Sequence, residues 1–171
     1  EFQIHPSRCV IGRDFGNSEA KSIIAFLSPT SQPVFRLLYF SGIPSMPSKV
    51  ALDLDDRLRL GIEAENLAYL GEGALFSIGK DLLKSFDTPC LYWKNQPLKP
   101  ADLIEKFVSF IIQQETECVG FPTQLLDSFI SCPANFDSQQ RQLWKEAIER
   151  AGVHVIGMEN EPNQAVRSLI G

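Results

Sequence analysis

An acidic residue followed at once by a turn is the first feature of this sequence that could do chemistry. Asp14 ends a run of strand-forming residues, and Gly16, Asn17 and Ser18 follow it closely. Glycine and asparagine tolerate positive φ, so a turn of this composition can present free backbone N–H groups to an anion. A carboxylate beside such a turn suits the hard cation that accompanies a phosphate. The alternative is a surface hairpin in which Asp14 only caps its own turn.

Two further groups of polar residues stand where helices are predicted to begin. Residues 133–137 follow a predicted strand and precede Gln140 and Arg141, while Glu161 stands directly before Pro162. Proline, a capping residue and polar side chains on the first turn are also ordinary helix-start chemistry. A carboxylate before a helix also stabilises the helix dipole. Both groups therefore have a purely structural alternative.

The elements that would position these residues alternate between strands and helices. Apolar runs predict strands at residues 8–15, 21–27, 34–40, 125–132 and 153–158. A proline at the first turn and an apolar stripe predict a helix that starts at Pro100, and Asp137 or Ser138 can cap a second helix. This order predicts an α/β fold with a mixed sheet flanked by helices.

The pattern changes between the first three strands and the helix at Pro100. Two prolines within residues 41–48 break the strand pattern and mark a boundary. We expect an inserted smaller subdomain at residues 43–98, on a core made of residues 1–42 and 99–171. Within the insertion, the sequence predicts a hairpin of residues 50–54 and 58–62, helices at residues 63–70 and 75–86, and a loop at residues 88–100.

Two aromatic residues of the predicted loop, Tyr92 and Trp93, stand next to each other. They are either a binding patch or, as we consider more frequent for such residues, part of ordinary packing.

Composition limits the partners of the protein. The 171 residues are 44% hydrophobic and 22% charged, which is enough for one domain with a buried core. The 16 basic and 21 acidic residues give a net charge of -5, so binding of nucleic acid through a basic excess is not expected. The most apolar stretch, residues 107–112, is too short to span a membrane, and the four cysteines are scattered without metal-site spacing. We therefore expect a cytoplasmic protein without nucleic acid or membrane as a partner.

Taken in order, these segments resemble the nucleotide-binding domain of the DnaK-type heat-shock chaperones, within the actin and sugar-kinase superfamily. The correspondence spans nearly the whole chain and concerns the first lobe of that domain. The matching segments are residues 10–16, similar to the first phosphate motif; 43–45, the entry to the inserted subdomain; 74–78 with Phe86, the insert helix; 98–103, the start of the long core helix; and 133–136 with Gln140 and Arg141, and 161–165, two further blocks.

The resemblance implies a ribonuclease-H-like lobe that forms half of an ATP cleft. Asp14 would be the metal ligand that holds a hydrated Mg²⁺, and Glu161 would orient water and metal for attack, so both would be catalytic. Pro133, Arg141 and Glu161 would relay the nucleotide state towards a peptide-binding domain. The cofactors would be ATP or ADP with Mg²⁺. The implied nucleotide-binding residues are Gly12, Asp14, Phe15, Gly16, Asn17 and Ser18.

Several positions depart from the family pattern. Asn17 and Ser18 stand where two threonines are usual, and Arg13 replaces an aliphatic residue. Glu65, within residues 60–66, stands at the position that we assign to the catalytic lysine. A negative charge there repels the γ-phosphate, and losing one preorganised donor costs about 100- to 1,000-fold in rate. We therefore expect slow or absent ATP hydrolysis.

The leading interpretation is the ATP-binding lobe of a divergent DnaK-type chaperone. We expect the second lobe and the peptide-binding domain to be absent from these 171 residues, so that ATPase activity would require them. The expected partners are nucleotide, those missing parts, co-chaperones and unfolded polypeptide. A non-hydrolysing co-chaperone or regulatory relative is the alternative, which Glu65 favours. A sugar or acetate kinase lobe shares Asp14 and its turn but does not explain residues 133–136 with Arg141.

Overall fold

The computed structural model describes residues 9–16, 18–78, 82, 85, 87–132 and 136–159, and the structural statements below concern these residues. They contain eleven strands and three α-helices. The strands are β1 (Cys9–Phe15), β2 (Glu19–Phe26), β3 (Val34–Leu37), β4 (Met46–Pro47), β5 (Lys49–Leu52), β6 (Leu58–Leu60), β7 (Ala74–Ser77), β8 (Leu91–Trp93), β9 (Gln96–Leu98), β10 (Asp127–Ser131) and β11 (His154–Glu159). The helices are α1 (Ile62–Leu70), α2 (Pro100–Val119) and α3 (Ser138–Arg150), and a short 3-10 turn covers Thr123–Leu125.

The main sheet is mixed, as the sequence predicts. Its strands lie in the order β11-β10-β1-β2-β3, and β4 pairs with the start of β2. β1, β10 and β11 run parallel to one another, whereas β2 runs antiparallel to both β1 and β3. The carboxyl ends of three adjacent parallel strands therefore meet at one edge of the sheet. The prediction of an α/β fold with a mixed sheet and flanking helices is confirmed.

The helix α2 packs its apolar stripe into the core, also as predicted. The buried residues of the stripe are Leu103, Ile104, Phe107, Val108, Ile111 and Ile112. Burial of a side chain of this size contributes about 1.5–3 kcal/mol, so the stripe is a main source of stability. None of the helices in the described ranges is long and apolar enough to cross a membrane.

The helix α3 begins at a capping box. The Asp137 carboxylate accepts the N–H of Gln140 at 2.7 Å, and the Gln140 side-chain oxygen accepts the N–H of Asp137 at 3.0 Å. One turn later, the indole of Trp144 is fully buried and donates to the carbonyl of Ser131 at 3.0 Å. The ring of Trp144 also meets Phe15 edge to face, with centroids 6.2 Å apart. These contacts fix α3 beneath the ends of β1 and β10.

The segment between β4 and α2 forms its own small sheet, in the order β6-β5-β7. The predicted hairpin is present as β5 and β6, and the first predicted helix is α1. The predicted helix at residues 75–86 is wrong at its start, because β7 is a strand that pairs with β5. Residues 79–81, 83, 84 and 86 of that prediction lie outside the described residues. The division into a core and an insertion at residues 43–98 stays a prediction.

The predicted loop at residues 88–100 is also wrong in part, because β8 and β9 form a hairpin. Lys94 and Asn95 connect them, with φ of 49° and 62°. Two consecutive positive φ values define the tight two-residue turn whose twist matches that of the strands. The sequence prediction failed because Lys-Asn lacks the glycine that usually marks such a turn.

A register shift lies in the last strand of the sheet. Ser128 pairs with Val155, but Phe129 pairs with Gly157, so Ile156 is an extra residue in β11. A Cβ atom at Gly157 would lie 2.7 Å from the ring of Phe129, so a side chain does not fit there. Beyond the shift, the pairing resumes and Ser131 lies opposite Glu159.

Candidate functional site

Three polar side chains stand in one row across the edge where the parallel strands end. Ser131 on β10 pairs with Glu159 on β11, and Arg13 pairs with Ile130, which places the next residue, Asp14, opposite Ser131. Residues in one row of a sheet lie on the same face, and adjacent strands are about 4.8 Å apart. Asp14 and Glu159 are therefore separated by a single strand, on one side of the sheet.

Ser131 joins the predicted metal ligand to the turn that follows it. Its hydroxyl oxygen accepts the backbone N–H of Phe15 at 2.8 Å. Burial raises the pKa of Asp14, and a hydrogen bond from Ser131 and the positive charge of Lys21 offset part of that rise. Burial makes the ionised form of the Asp14 carboxylate less favourable, and a bound cation would offset this effect.

The turn after Asp14 uses part of its own hydrogen-bonding capacity. The N–H of Gly16 donates to the carbonyl of Glu19 at 3.0 Å, and the N–H of Phe15 is taken by Ser131. Ser18 is exposed, and Asn17 lies outside the described residues. The turn that is predicted to contact phosphates is therefore a hairpin turn. Among its described residues, Ser18 is exposed and can face a ligand.

A serine from the neighbouring segment braces this turn. The Ser48 hydroxyl donates to the carbonyl of Gly16 at 2.8 Å, and the Ser48 N–H donates to the carbonyl of Ser18 at 3.0 Å. The carbonyl of Ser48 in turn accepts the N–H of Ile78 at 2.8 Å. Ser48 and Ile78 are both buried. Ser48 therefore connects Ile78 with the turn after Asp14 through hydrogen bonds. The sequence analysis did not predict this connection.

Glu65, the residue assigned to the lysine position, lies elsewhere on this segment. It stands on the first turn of α1 and is partly buried. Its backbone N–H bonds the carbonyl of Gly61, and α1 packs mainly against β5. No hydrogen bond or ion pair among the described residues connects the Glu65 side chain with Asp14 or its turn.

The predicted relay is described at one of its three positions. Arg141 lies on the first turn of α3, and its charge lowers the pKa of Cys132, although burial of that thiol raises the pKa overall. Cys132 directly follows Ser131, so Arg141 lies close to the end of β10. Pro133 and Glu161 lie outside the described residues. The chain reaches the strand edge at Glu159, two residues before Glu161.

A buried ion pair under the edge was missed by the sequence predictions. The Arg13 guanidinium donates to both carboxylate oxygens of Glu115, at 2.9 Å and 2.7 Å, and both side chains are fully buried. The hydroxyls of Ser22 and Thr123 donate to the same carboxylate at 2.5 Å and 2.7 Å, and Arg13 also donates to Ser128. The pair anchors α2 to β1 directly beside Asp14.

The donor set at the edge fits a hydrated magnesium ion. Mg²⁺ usually keeps several waters and takes one or two protein carboxylates. Asp14 supplies one such carboxylate, and burial raises its pKa, an effect that a bound cation would oppose. Within the described ranges, no group of three or more His, Cys, Asp or Glu side chains is arranged to hold a metal ion.

Comparison with known proteins finds chaperones that are distantly similar to this chain. It is 29% identical over 159 residues to the chaperone protein DnaK of Picrophilus torridus, which covers 91% of this chain and 25% of that protein. It is 25% identical over 182 residues to an HscA homologue of Pseudomonas fluorescens, covering 95% of this chain and 28% of that protein. DnaK of Thermoplasma acidophilum is 28% identical over 91% of the chain.

The matches cover most of this chain but only a small part of each relative. The chain spans about a quarter of the length of the curated relatives that it matches. No family model matches it. The resemblance read from the motifs and the observed mixed α/β sheet agree with these matches. The chain is a distant homologue of the DnaK and HscA chaperones, and it corresponds to one lobe-sized piece of them.

Proposed function

We propose that the chain is the ATP-binding lobe of a divergent DnaK-type molecular chaperone. The observation that carries the proposal is the row of Asp14, Ser131 and Glu159 at the edge where three parallel strands end. Ligands of open α/β sheets bind outside the carboxyl ends of the strands, so this edge is where a nucleotide is expected. The homology to DnaK and HscA supports the same class.

The proposed roles follow from the position of each residue. Asp14 would hold a hydrated Mg²⁺, and the turn from Gly16 to Ser18 would contact the phosphates. Bound magnesium would neutralise phosphate charge and orient water. Glu161, two residues after Glu159, would orient water and metal, as the resemblance implies. Arg141, close to the end of β10, would pass the state of the site to α3.

Two positions are candidates for the side chain that faces the γ-phosphate. If Glu65 occupies the catalytic lysine position, its negative charge would repel the γ-phosphate and make hydrolysis slow. The contacts Gly16 to Ser48 to Ile78 favour a second candidate, Lys80, because it follows by two residues the point at which the chain meets the turn. Lys80 itself lies outside the described residues, so it is tested beside the assignment to Glu65. If Lys80 is the cation, Glu65 has no role in hydrolysis.

The two functional classes differ in their need for hydrolysis. A chaperone ATPase requires the cation, a second lobe and a peptide-binding domain, with co-chaperones and unfolded polypeptide as partners. A non-hydrolysing regulatory relative requires only nucleotide binding and protein contacts. A missing cation would favour the second class, and Lys80 in contact with nucleotide would favour the first.

The test is a titration of the ¹⁵N-labelled chain with ATP, with and without Mg²⁺, followed by amide shifts. Because the chain spans about a quarter of its relatives, we expect a partial site with an affinity on the order of millimolar. Mg²⁺-dependent shifts are expected at Gly12, Gly16 and Ser18. Asp14→Asn should abolish the Mg²⁺ dependence, and Asp55→Asn, on an exposed turn, is the matched control.

Two variants separate the candidate cations in the same titration. If Lys80 is the cation, Lys80→Met should weaken ATP binding while Glu65→Lys leaves it unchanged. If Glu65 faces the γ-phosphate, Glu65→Lys should strengthen binding while Lys80→Met leaves it unchanged. Shifts spread over the chain without dependence on Mg²⁺ or Asp14 would refute the nucleotide site itself. A micromolar affinity would instead contradict the view that the chain holds only part of the site.

A further inference from the structure

A lysine stands beside the predicted metal ligand on the neighbouring strand. Lys21 on β2 pairs with Asp14 on β1 in the antiparallel ladder. The side chains of two residues paired in this way lie on the same face of the sheet, with their Cβ atoms about 4.5–5.5 Å apart. The row of Asp14, Ser131 and Glu159 therefore continues onto β2, and Lys21 is its basic member.

The residues next to this pair show which face of the sheet it occupies. The hydroxyl of Ser22, next to Lys21, donates to the carboxylate of Glu115 on α2. The guanidinium of Arg13, next to Asp14, donates to the same carboxylate. Because side chains alternate along a strand, Lys21 and Asp14 point away from α2. Both side chains therefore stand on the face that carries the candidate nucleotide site.

The ammonium group of Lys21 is accessible to a ligand. The side chain is exposed, and it forms no hydrogen bond or ion pair with a described residue. Burial raises the pKa of Asp14, and the charge of Lys21 is one of the two effects that oppose this rise. Lys21 thus acts on Asp14 without direct contact, and the described protein groups use none of its three N–H donors.

The other charged residues around Lys21 on this face are acids. Glu19 stands two residues earlier on β2, and Asp14 and Glu159 belong to the same row. Three carboxylates attract a metal ion but repel a triphosphate. A hydrated Mg²⁺ at Asp14 would meet part of the phosphate charge, and Lys21 offers a second positive charge beside it. Lysine binds phosphate as a point charge with several donors.

We propose that Lys21 is a further phosphate-binding residue of the candidate nucleotide site. Its ammonium would donate to phosphate oxygens on the β2 side of Asp14. This inference rests on the proposed function, since Lys21 has this role only if a nucleotide binds at the strand edge. It does not depend on whether Glu65 or Lys80 faces the γ-phosphate.

The test compares ATP with adenosine as ligands of the ¹⁵N-labelled chain, with and without Mg²⁺, followed by amide shifts. Lys21→Met should weaken ATP binding roughly tenfold or more, as for loss of a charge-assisted hydrogen bond, and leave adenosine binding unchanged. Lys21→Arg retains the charge and should restore most of the affinity. The matched control is Arg36→Met, because Arg36 is an exposed cation that pairs with Ile24 and so lies on the opposite face.

The outcomes separate this inference from the proposed function. If Lys21→Met leaves ATP binding unchanged while the Mg²⁺-dependent shifts still require Asp14, the inference is refuted and the nucleotide site stands. Equal losses in Lys21→Met and Arg36→Met would assign the effect to net charge and refute a phosphate contact. Weaker binding of both ligands with a lowered unfolding midpoint would show a structural role instead. A parent chain without any ATP-dependent shifts would refute the proposed function together with the inference.

Discussion

The guanidinium of Arg13 and the carboxylate of Glu115 meet 2.7 Å apart at a place where neither side chain is exposed. Two charges are costly to bury, and the cost is met here by a fully hydrogen-bonded network. In the described residues, no buried side-chain nitrogen or oxygen lacks a partner. Breaking such a pair leaves one charge uncompensated, whereas replacing both partners by apolar groups does not.

Glu115→Gln is therefore expected to lower the free energy of unfolding by about 3–5 kcal/mol. The variant retains the hydrogen-bonding shape of the side chain but leaves the Arg13 cation without a counter-ion. Urea unfolding followed by tryptophan fluorescence measures the loss. Glu117→Gln, at an exposed position of α2, should change stability by less than about 0.5 kcal/mol. A double variant, Arg13→Met with Glu115→Leu, leaves no buried charge, although the hydroxyls of Ser22, Ser128 and Thr123 must find new partners, and it should lose less than the single one. A single-variant loss below that of the double would contradict the argument.

Asp14→Asn is expected to stabilise the protein at neutral pH. Burial raises the pKa of Asp14, so the folded state binds a proton more readily than the unfolded state. Stability therefore falls as the pH rises from the unfolded value, about 3.9, through the raised folded value. The advantage of the variant should appear above that window and vanish below it. Unfolding midpoints of both proteins at several pH values measure the difference, and an advantage that persists at acid pH would rule out this cause.

Asp102→Ala is expected to destabilise the protein at neutral pH by about 1 kcal/mol, as for loss of a helix cap. Burial raises the pKa of Asp102, but hydrogen bonds from Arg150 and the N–H of Lys99 outweigh it, so the pKa is lowered overall. A lowered folded pKa gives stability that is present above the unfolded pKa and lost as the pH falls. The difference between the variant and the parent chain should therefore shrink with acidification. Glu117→Ala provides the comparison at an exposed site of the same helix.

Asn95 should be replaceable by glycine but not by valine. Its φ of 62° is tolerated by asparagine and glycine, whereas a β-branched side chain in this region costs roughly 1–2 kcal/mol. Asn95→Gly should leave the thermal unfolding midpoint unchanged or raise it, and Asn95→Val should lower it. Gln96→Val, one residue later in β9, introduces the same side chain into extended backbone and should be tolerated. Equal effects at the two positions would show that φ does not decide the outcome.

Periodicity explains which parts of the fold could be predicted. The stripe on α2 repeats at helical spacing over several turns, and β1, β2 and β10 are apolar runs bounded by turn residues, so their types were correct. β7 is a four-residue apolar run, and such a run does not distinguish strand from helix. Its type is decided by pairing with β5, a tertiary contact that local sequence does not contain.

The sequence predicted the candidate site only where its residues lie in one continuous segment. Asp14 and its turn are contiguous, and their place at the end of β1 agrees with the prediction. Ser131 was missed because the residue that it bonds, Phe15, is 116 positions away. Arg13 and Glu115 did carry a signal, since each is a charge at a core-facing position of an otherwise apolar pattern. The roles of all the predicted site residues remain predictions, and Pro133, Asn17 and Glu161 lie outside the described residues.

The extra residue in β11 lengthens that strand without changing the residue pairs at the strand edge. Ile156 is accommodated by the register shift, so Glu159 stays opposite Ser131 although β11 has one residue more than β10 across that stretch. Removing Ile156 would leave a regular ladder with the same later pairs. Relatives can therefore gain or lose one residue there by insertion or deletion, and an alignment gap at Ile156 would not signal loss of the site.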